Sequence, residues 1–243
     1  LQAFRAGVFD YYGEQDERRF NTEYNYAARR KGLFKAETYT GGRAYGMFEG
    51  IVLNTRKPIF QDVRVREALT LAYNFEWANR VLWYEGLARN NSFFMRSSLQ
   101  AQKLPSKDEL MLLEPFRTEL PARVFTQPVP LPINQPTGRN RDTLVAADNL
   151  LREAGWVVKD FERVNKKSGK PLTFDFIISK NEYEMMLTPF VDNLKRLGIY
   201  TNIRKIEKNL MVNRLRSYDF DATIRRIYTF DVPLADRLRS QYT

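Results

Sequence analysis

The chain has 243 residues, 43% of them hydrophobic, which is enough apolar material for one sizeable core. It contains neither Cys nor His, so disulfides, thiolate nucleophiles, cysteine-based zinc sites and Ser-His-Asp or Cys-His catalysis are excluded within it. The net charge of +10 is spread over the chain in short runs such as Arg29-Arg30-Lys31, Lys166-Lys167 and Arg225-Arg226, and reads mostly as a solvated basic surface.

Residues 1–50 are rich in Tyr, Gly and charge with weak periodicity, and are expected to form loops and short elements. Leu1-Gln2-Ala3-Phe4-Arg5 has neither the basic start nor the apolar core of a signal sequence, and the chain reads as a piece of a longer protein. No stretch approaches the ~18 apolar residues of a membrane span. Ile51-Val52-Leu53-Asn54 predicts a short buried strand. Asp62 is placed to cap one helix over 62–79, with Val65, Ala68, Leu69 and Ala72 at helical spacing. Residues 115–141 hold Pro115, Pro121, Pro128, Pro130, Pro132 and Pro136; proline fixes φ and removes a donor, so a long irregular connection is expected, with its ends on the surface.

A regular alternation follows. Asp142 is expected to cap a helix through residue 154, with Leu144, Ala147, Leu151 and Ala154 on one face and Gly155 at its end. Leu172, Phe174, Phe176 and Ile178 alternate with polar residues as a strand does. Met186, Leu187, Phe190, Val191, Leu194 and Leu197 recur at helical period up to Gly198. Residues 199–206 read as a strand, 209–216 as a helix and 218–224 as a strand again. Strand–helix–strand–helix–strand with short links predicts an α/β layer.

Several segments resemble the dipeptide- and oligopeptide-binding proteins of ABC importers, the family 5 solute-binding proteins. The longest runs from Leu53-Asn54-Thr55-Arg56-Lys57-Pro58 through Asp62-Val63-Arg64-Val65-Arg66-Glu67-Ala68-Leu69. It is similar to that family's N-T-x-x-x-P-F-x-D-x-R-V-R-x-A-L pattern. Tyr73-Asn74-Phe75-Glu76-Trp77-Ala78-Asn79 and Asn91-Ser92-Phe93-Phe94 resemble the YejA-type subgroup, linked to peptide and microcin C uptake. Leu150-Leu151-Arg152-Glu153-Ala154-Gly155-Trp156, Leu194-Lys195-Arg196-Leu197-Gly198-Ile199 and Tyr218-Asp219-Phe220-Asp221-Ala222 follow in the family's order. Phe4-Arg5-Ala6-Gly7-Val8-Phe9-Asp10 is similar to the segment near the first lobe crossing.

The resemblance implies an α/β, periplasmic-binding-protein-like (type II) lobe, a mixed sheet flanked by helices. Residues 1–45 would lie near the inter-lobe crossing and 46–243 would form the second lobe, its first lobe missing from this chain. It also implies a periplasmic, non-enzymatic protein. Such a protein holds peptides or peptide-like ligands, microcin C-like ones included, between two lobes, closes by a hinge and docks on ABC permease subunits. No cofactor, metal or nucleic acid is expected. One departure stands out: after Tyr218-Asp219-Phe220-Asp221 the family usually has small residues and then Trp, where this chain has Arg225, Arg226 and Ile227.

Each candidate site has a plainer alternative. Arg225 and Arg226 with Tyr228 offer guanidinium forks for a carboxylate or phosphate, or are exposed charge at a strand end. Asn91, Ser92 and Phe93 offer hydrogen bonds and an apolar wall, or form a packed turn. Asp231 lies where the resemblance implies an aspartate that holds a peptide's α-amino group, or it caps a helix. Arg64 and Arg66 could bind phosphate at a helix start but are read as braces to carboxylates or carbonyls. Asp219 and Asp221, two apart on the expected strand, suggest a carboxylate hydrolase, but pairing with Arg or Lys is favoured. A basic nucleic-acid-binding domain is the remaining alternative, although no phosphate-cradling or RNA-binding motif occurs.

Overall fold

A computed structural model of the chain describes residues 1–14, 16–37, 47–92, 94–95, 99–101, 103–128 and 134–228. The N-terminal part holds three short helices, α1 (Gln2–Arg5), α2 (Glu17–Glu23) and α3 (Ala27–Arg30). The loops and short elements expected there are what the described residues up to 37 have.

Strand β1 (Met47–Leu53) begins earlier than expected, and Ile51, Val52 and Leu53 are half-buried rather than buried. A 3₁₀ turn (Pro58–Phe60) leads to α4 (Val63–Ala72), where Asp62 accepts a hydrogen bond from the Arg64 amide at 2.9 Å. Val65, Ala68, Leu69 and Ala72 are all buried along it. The single helix expected over 62–79 is two. Tyr73 turns extended (φ −85°, ψ 111°), and Asn74 caps α5 (Phe75–Leu82) by accepting from the Trp77 amide at 3.0 Å. The buried Asn193 amide donates to the Ala72 carbonyl at 2.9 Å, so the break leaves that carbonyl satisfied.

Next come α6 (Lys107–Leu113), a 3₁₀ turn (Glu114–Phe116) and α7 (Arg123–Thr126). The proline-rich connection thus carries two short helical pieces and is otherwise irregular in its described residues. Pro115 and Arg141 at its ends are exposed, although Asn134 and Asn140 within it are buried.

Helix α8 (Arg141–Glu153) buries Ala147 and Leu151. Asp142 is not its cap: Asn140 takes that position without a capping side-chain bond, and Asp142 lies in the first turn. The hairpin β2 (Trp156–Lys159) and β3 (Glu162–Asn165) was not anticipated. Strand β4 (Thr173–Ile178), helix α9 (Asn181–Arg196), strand β5 (Tyr200–Lys205) and helix α10 (Lys208–Arg216) follow the sequence expectation closely. Gly198, after α9, needs its absent side chain. Its φ is +78°, and a Cβ there would stand 3.0 Å from the Arg163 amide nitrogen and the Phe161 carbonyl oxygen.

Strand β6 is Ala222–Tyr228, so the strand expected at 218–224 starts later and runs further. Tyr218 adopts φ +55°, which no strand tolerates. The main sheet has the order β1-β6-β4-β5, with β6, β4 and β5 parallel and β1 antiparallel to β6. Phe174, Phe176, Ile178, Ala222 and Ile224 share one face. They pack under α4, α8 and α9 with Phe60, Leu151, Leu187, Phe190 and Leu194. This is the mixed, helix-flanked α/β sheet expected.

Candidate functional site

Parallel pairing brings the carboxyl ends of β4, β5 and β6 to one edge, the place where open α/β sheets expose ligand-binding groups. Phe176 lies level with Ala222 and Ile177 with Thr223. Ile178, the last residue of β4, is therefore level with Ile224. Strand β6 runs on past it through Arg225, Arg226, Ile227 and Tyr228, paired there with β1 as a two-stranded ribbon.

Alternation sends the two arginines to opposite faces. Arg226 stands opposite Glu49 on the face of Ile51 and Ile224, at the rim of the core. Its Nη2 donates to Glu49 Oε2 at 3.0 Å, while the Tyr183 hydroxyl on α9 donates to Glu49 Oε1 at 2.9 Å. Burial first, and then the bond to the Glu49 carboxylate, push the Tyr183 phenol up to about 12. Arg225 faces the other way, opposite Gly50, and is exposed. No carboxylate lies within ion-pair distance of it among the described residues. The edge is completed by Lys205, which donates to Asn181 Oδ1, and by Lys180, 3.1 Å from Glu182 and 5.4 Å from the Tyr183 ring centroid.

This is a cationic edge whose two carboxylates, Glu49 and Glu182, are both paired, suited to holding an anionic group. Among the described residues no group of three or more acidic side chains could hold a metal. Sequence reasoning found Arg225 and Arg226 but missed Glu49 and Tyr183. Extending the alternation of Ile51 and Leu53 back to residue 49 would have found Glu49; no pattern singles out Tyr183.

Among the described residues the other sequence candidates are dispersed. Asn91 is exposed and accepts from Gln100 Nε2 at 2.9 Å, and half-buried Ser92 accepts from the Phe94 amide at 3.1 Å. Those bonds close a local turn, and none of them ties it to β6. Tyr228 is the last residue of β6, whereas Asp231 and Phe93 lie outside the described residues. Asp219 and Asp221 sit in the loop before β6, not on a strand. Asp219 pairs with Arg214 at 3.6 Å and Asp221 with Lys57 at 3.1 Å, as the favoured pairing expected. Arg64 and Arg66 are braces. Arg64 binds Asp62 and the Glu153 carbonyl, and Arg66 the carbonyls of Phe60 and Gln61.

No helix among the described residues is long and apolar enough to cross a membrane. The chain is 39% identical over 221 residues to the uncharacterized protein YejA of Escherichia coli (strain K12), an alignment covering 91% of this chain and 36% of that protein. It is 36% identical over 226 residues to the probable peptide-binding protein YejA of Agrobacterium fabrum, covering 93% and 37%. The chain thus spans little more than a third of the curated relatives it matches. Its fold is similar to that of the oligopeptide-binding protein AppA of Bacillus subtilis, solved with a nonapeptide. The TM-score is 0.58 at 18% identity, over 77% of this chain and 32% of AppA. Residues 1–242 match the model described as "Bacterial extracellular solute-binding proteins, family 5 Middle", and the chain belongs to that family.

Proposed function

We propose that this chain is the second lobe of the solute-binding component of an ABC importer, taking peptides or peptide-like ligands between two lobes. Residues 1–45 form the segment near the inter-lobe crossing and 46–243 the lobe. The function is binding without chemistry: ligand favours the closed arrangement of the lobes, and the closed form docks on the permease in the periplasm. One observation carries the reading. The β1–β6 ribbon takes exposed Arg225 past the carboxyl edge of the sheet, in a chain matched to a solute-binding family over residues 1–242. The name of the Agrobacterium relative and the nonapeptide in AppA support peptides as the ligand class.

Arg225, on this reading, meets an anionic group of the ligand, and Arg226 is held back by Glu49. Asp231 takes the ligand's α-amino group, while Asn91, Ser92, Phe93 and Tyr228 line the cleft. A hydrolase gains no support, because Asp219 and Asp221 are committed to cations, and the family match lends none to a nucleic-acid-binding domain.

Calorimetry of the full-length protein against a mixed peptide library tests this. The full-length protein is expected to bind tightly and this chain alone weakly or not at all, since half a cleft loses contacts and water exclusion. Submicromolar affinity of the chain alone would defeat the two-lobe account. Arg225→Ala is expected to cost roughly 1.5–3 kcal/mol of binding if it holds a carboxylate or phosphate. Removing Asp231 should weaken peptides with a free N-terminus more than N-acetylated ones, and equal losses would make it a cap.

A further inference from the structure

Helix α9 has 16 residues and, at 1.5 Å per residue, carries the chain roughly 24 Å from the carboxyl edge of the sheet to the opposite one. There a groove of about 790 Å³ opens between the C-terminus of α9, the β2–β3 hairpin and the N-terminus of α8. Four arginines line it, Arg139, Arg141, Arg163 and Arg196, against one carboxylate, Asp148. That carboxylate is already used: it accepts from buried Arg163 and from Arg152. Arg139 and Arg141 have no carboxylate within ion-pair distance among the described residues, and Arg196 reaches only Asn193 Oδ1, at 3.4 Å.

The start of α8 faces this groove without a side-chain cap. The Thr143 hydroxyl is turned to Asn134 Oδ1 and to the Asn140 carbonyl, and Asn140 caps nothing. Asn140 lines the groove, is only 4% exposed, and its Nδ2 is buried without a hydrogen-bond partner. Burying an amide donor unpaired is unfavourable, and a helix N-terminus flanked by uncommitted guanidinium groups attracts an anion. The remaining walls are apolar: Leu144, Leu197 and the exposed side chains of Val145 and Val158.

We propose that this groove binds a small molecule with a phosphate-like oxyanion and an apolar body. The oxyanion accepts from Asn140 Nδ2 and the first-turn amides of α8, Arg139 and Arg141 supply the countercharge, and the body lies along Val145 and Val158. The site lies on the opposite edge from the proposed peptide cleft and does not depend on it.

The probes are inorganic phosphate and n-butyl phosphate, added to the 243-residue chain at constant ionic strength and followed by amide NMR, with chloride as control. Saturable shifts are expected in the Asn140 side-chain amide and the amides of residues 141–143, with butyl phosphate binding several-fold tighter. Shifts that never saturate and spread over all basic segments would overturn the site, and equal affinity for the two probes would overturn the apolar body. Arg139→Gln with Arg141→Gln should weaken binding at least ten-fold; unchanged affinity would sink the assignment. Asn140→Asp separates anion binding from capping. Asp is a good N-cap, so thermal stability should hold or rise, while its charge should abolish phosphate binding. Phosphate still bound by this variant would overturn the role given to Asn140.

Discussion

The N-terminal 37 residues and the sheet unit that follows solve the same physical problem with different means. In the sheet unit, side chains from Phe60 to Ile224 form one buried cluster. In the described part of residues 1–37, Tyr24 is the one buried residue, and Val8, Tyr11 and Leu33 are largely exposed. That segment is organised by ring contacts instead. Tyr26 and Phe34 stack at 5.1 Å, Phe4 meets Phe34 edge-on at 5.6 Å, and the Arg5 guanidinium sits 5.1 Å from the Tyr26 ring centroid. Ring geometry adds only about 0.5–1.5 kcal/mol per pair beyond burial, and here there is little burial to add to. The difference teaches that aromatic content alone does not make a core.

The largest expected effect tests this directly. Phe176 is fully buried against Phe174 and Phe190, so Phe176→Ala should cost about 3–5 kcal/mol in chemical denaturation. Phe34→Ala, in the N-terminal segment, should cost less than about 1.5 kcal/mol. Comparable losses would mean that the segment is part of the core after all.

What could be read from the sequence follows the same division. Elements with strong periodicity that bury one face, such as β4 and α9, fell where the pattern put them. Boundaries set by single polar contacts did not. Nothing in the apolar pattern of Val65, Ala68, Leu69 and Ala72 says that Tyr73 turns extended and Asn74 begins a new helix. The late start of β6 depends on Asn54, distant in sequence, and the β2–β3 hairpin is too short and too polar to announce itself. At the candidate site the arginine run was legible, but its partners Glu49 and Tyr183 come from two other elements, and only folding joins them.

Arg163, on that missed hairpin, gives the next effect. It is buried and donates to the carbonyls of Leu197 and Trp156 and to Asp148. Arg163→Ala strands these acceptors and should cost about 2–4 kcal/mol. Burial pushes the Asp148 carboxyl up, but its bonds to Arg163 and Arg152 outweigh that and leave it below the usual carboxylate range. Its contribution to stability is therefore present above the unfolded value near ~4 and is lost as pH falls through the lowered folded value. Asp148→Asn should flatten the acid limb of the stability–pH curve, and an unchanged limb would remove Asp148 from the account.

A smaller effect is expected at Asn54. Its Nδ2 donates to the carbonyls of Tyr218 and Phe220 at 2.9 and 2.8 Å, and its own amide donates to the Asp221 carbonyl at 2.8 Å. These bonds hold the loop that delivers β6 to the sheet. Asn54→Ala should cost about 1–3 kcal/mol and raise amide exchange across 218–224 before that of β4. Uniform loss of protection would show that Asn54 supports the whole unit and not this loop.

The smallest effect compares one chemical motif placed in both regions. The Tyr24 hydroxyl donates to Glu14 at 3.1 Å within the N-terminal segment, and the Tyr183 hydroxyl donates to Glu49 at 2.9 Å across the sheet unit. Burial and the carboxylate push both phenols up, Tyr183 to about 12. A raised phenol contributes stability below its unfolded value near ~10, and the contribution is lost as pH rises through the folded value. The segment around Tyr24 has few buried contacts, so it should open locally at modest cost and let Tyr24 titrate below Tyr183. Tyr183 should hold near 12 and move part of the way back in Glu49→Gln, which removes the charge but not the burial. Ring-carbon NMR titration, with Tyr24→Phe and Tyr183→Phe to assign the signals, reads both. If Tyr24 stays as high as Tyr183, the N-terminal segment is held as firmly as the sheet, and its ring contacts are worth more than their exposure implies.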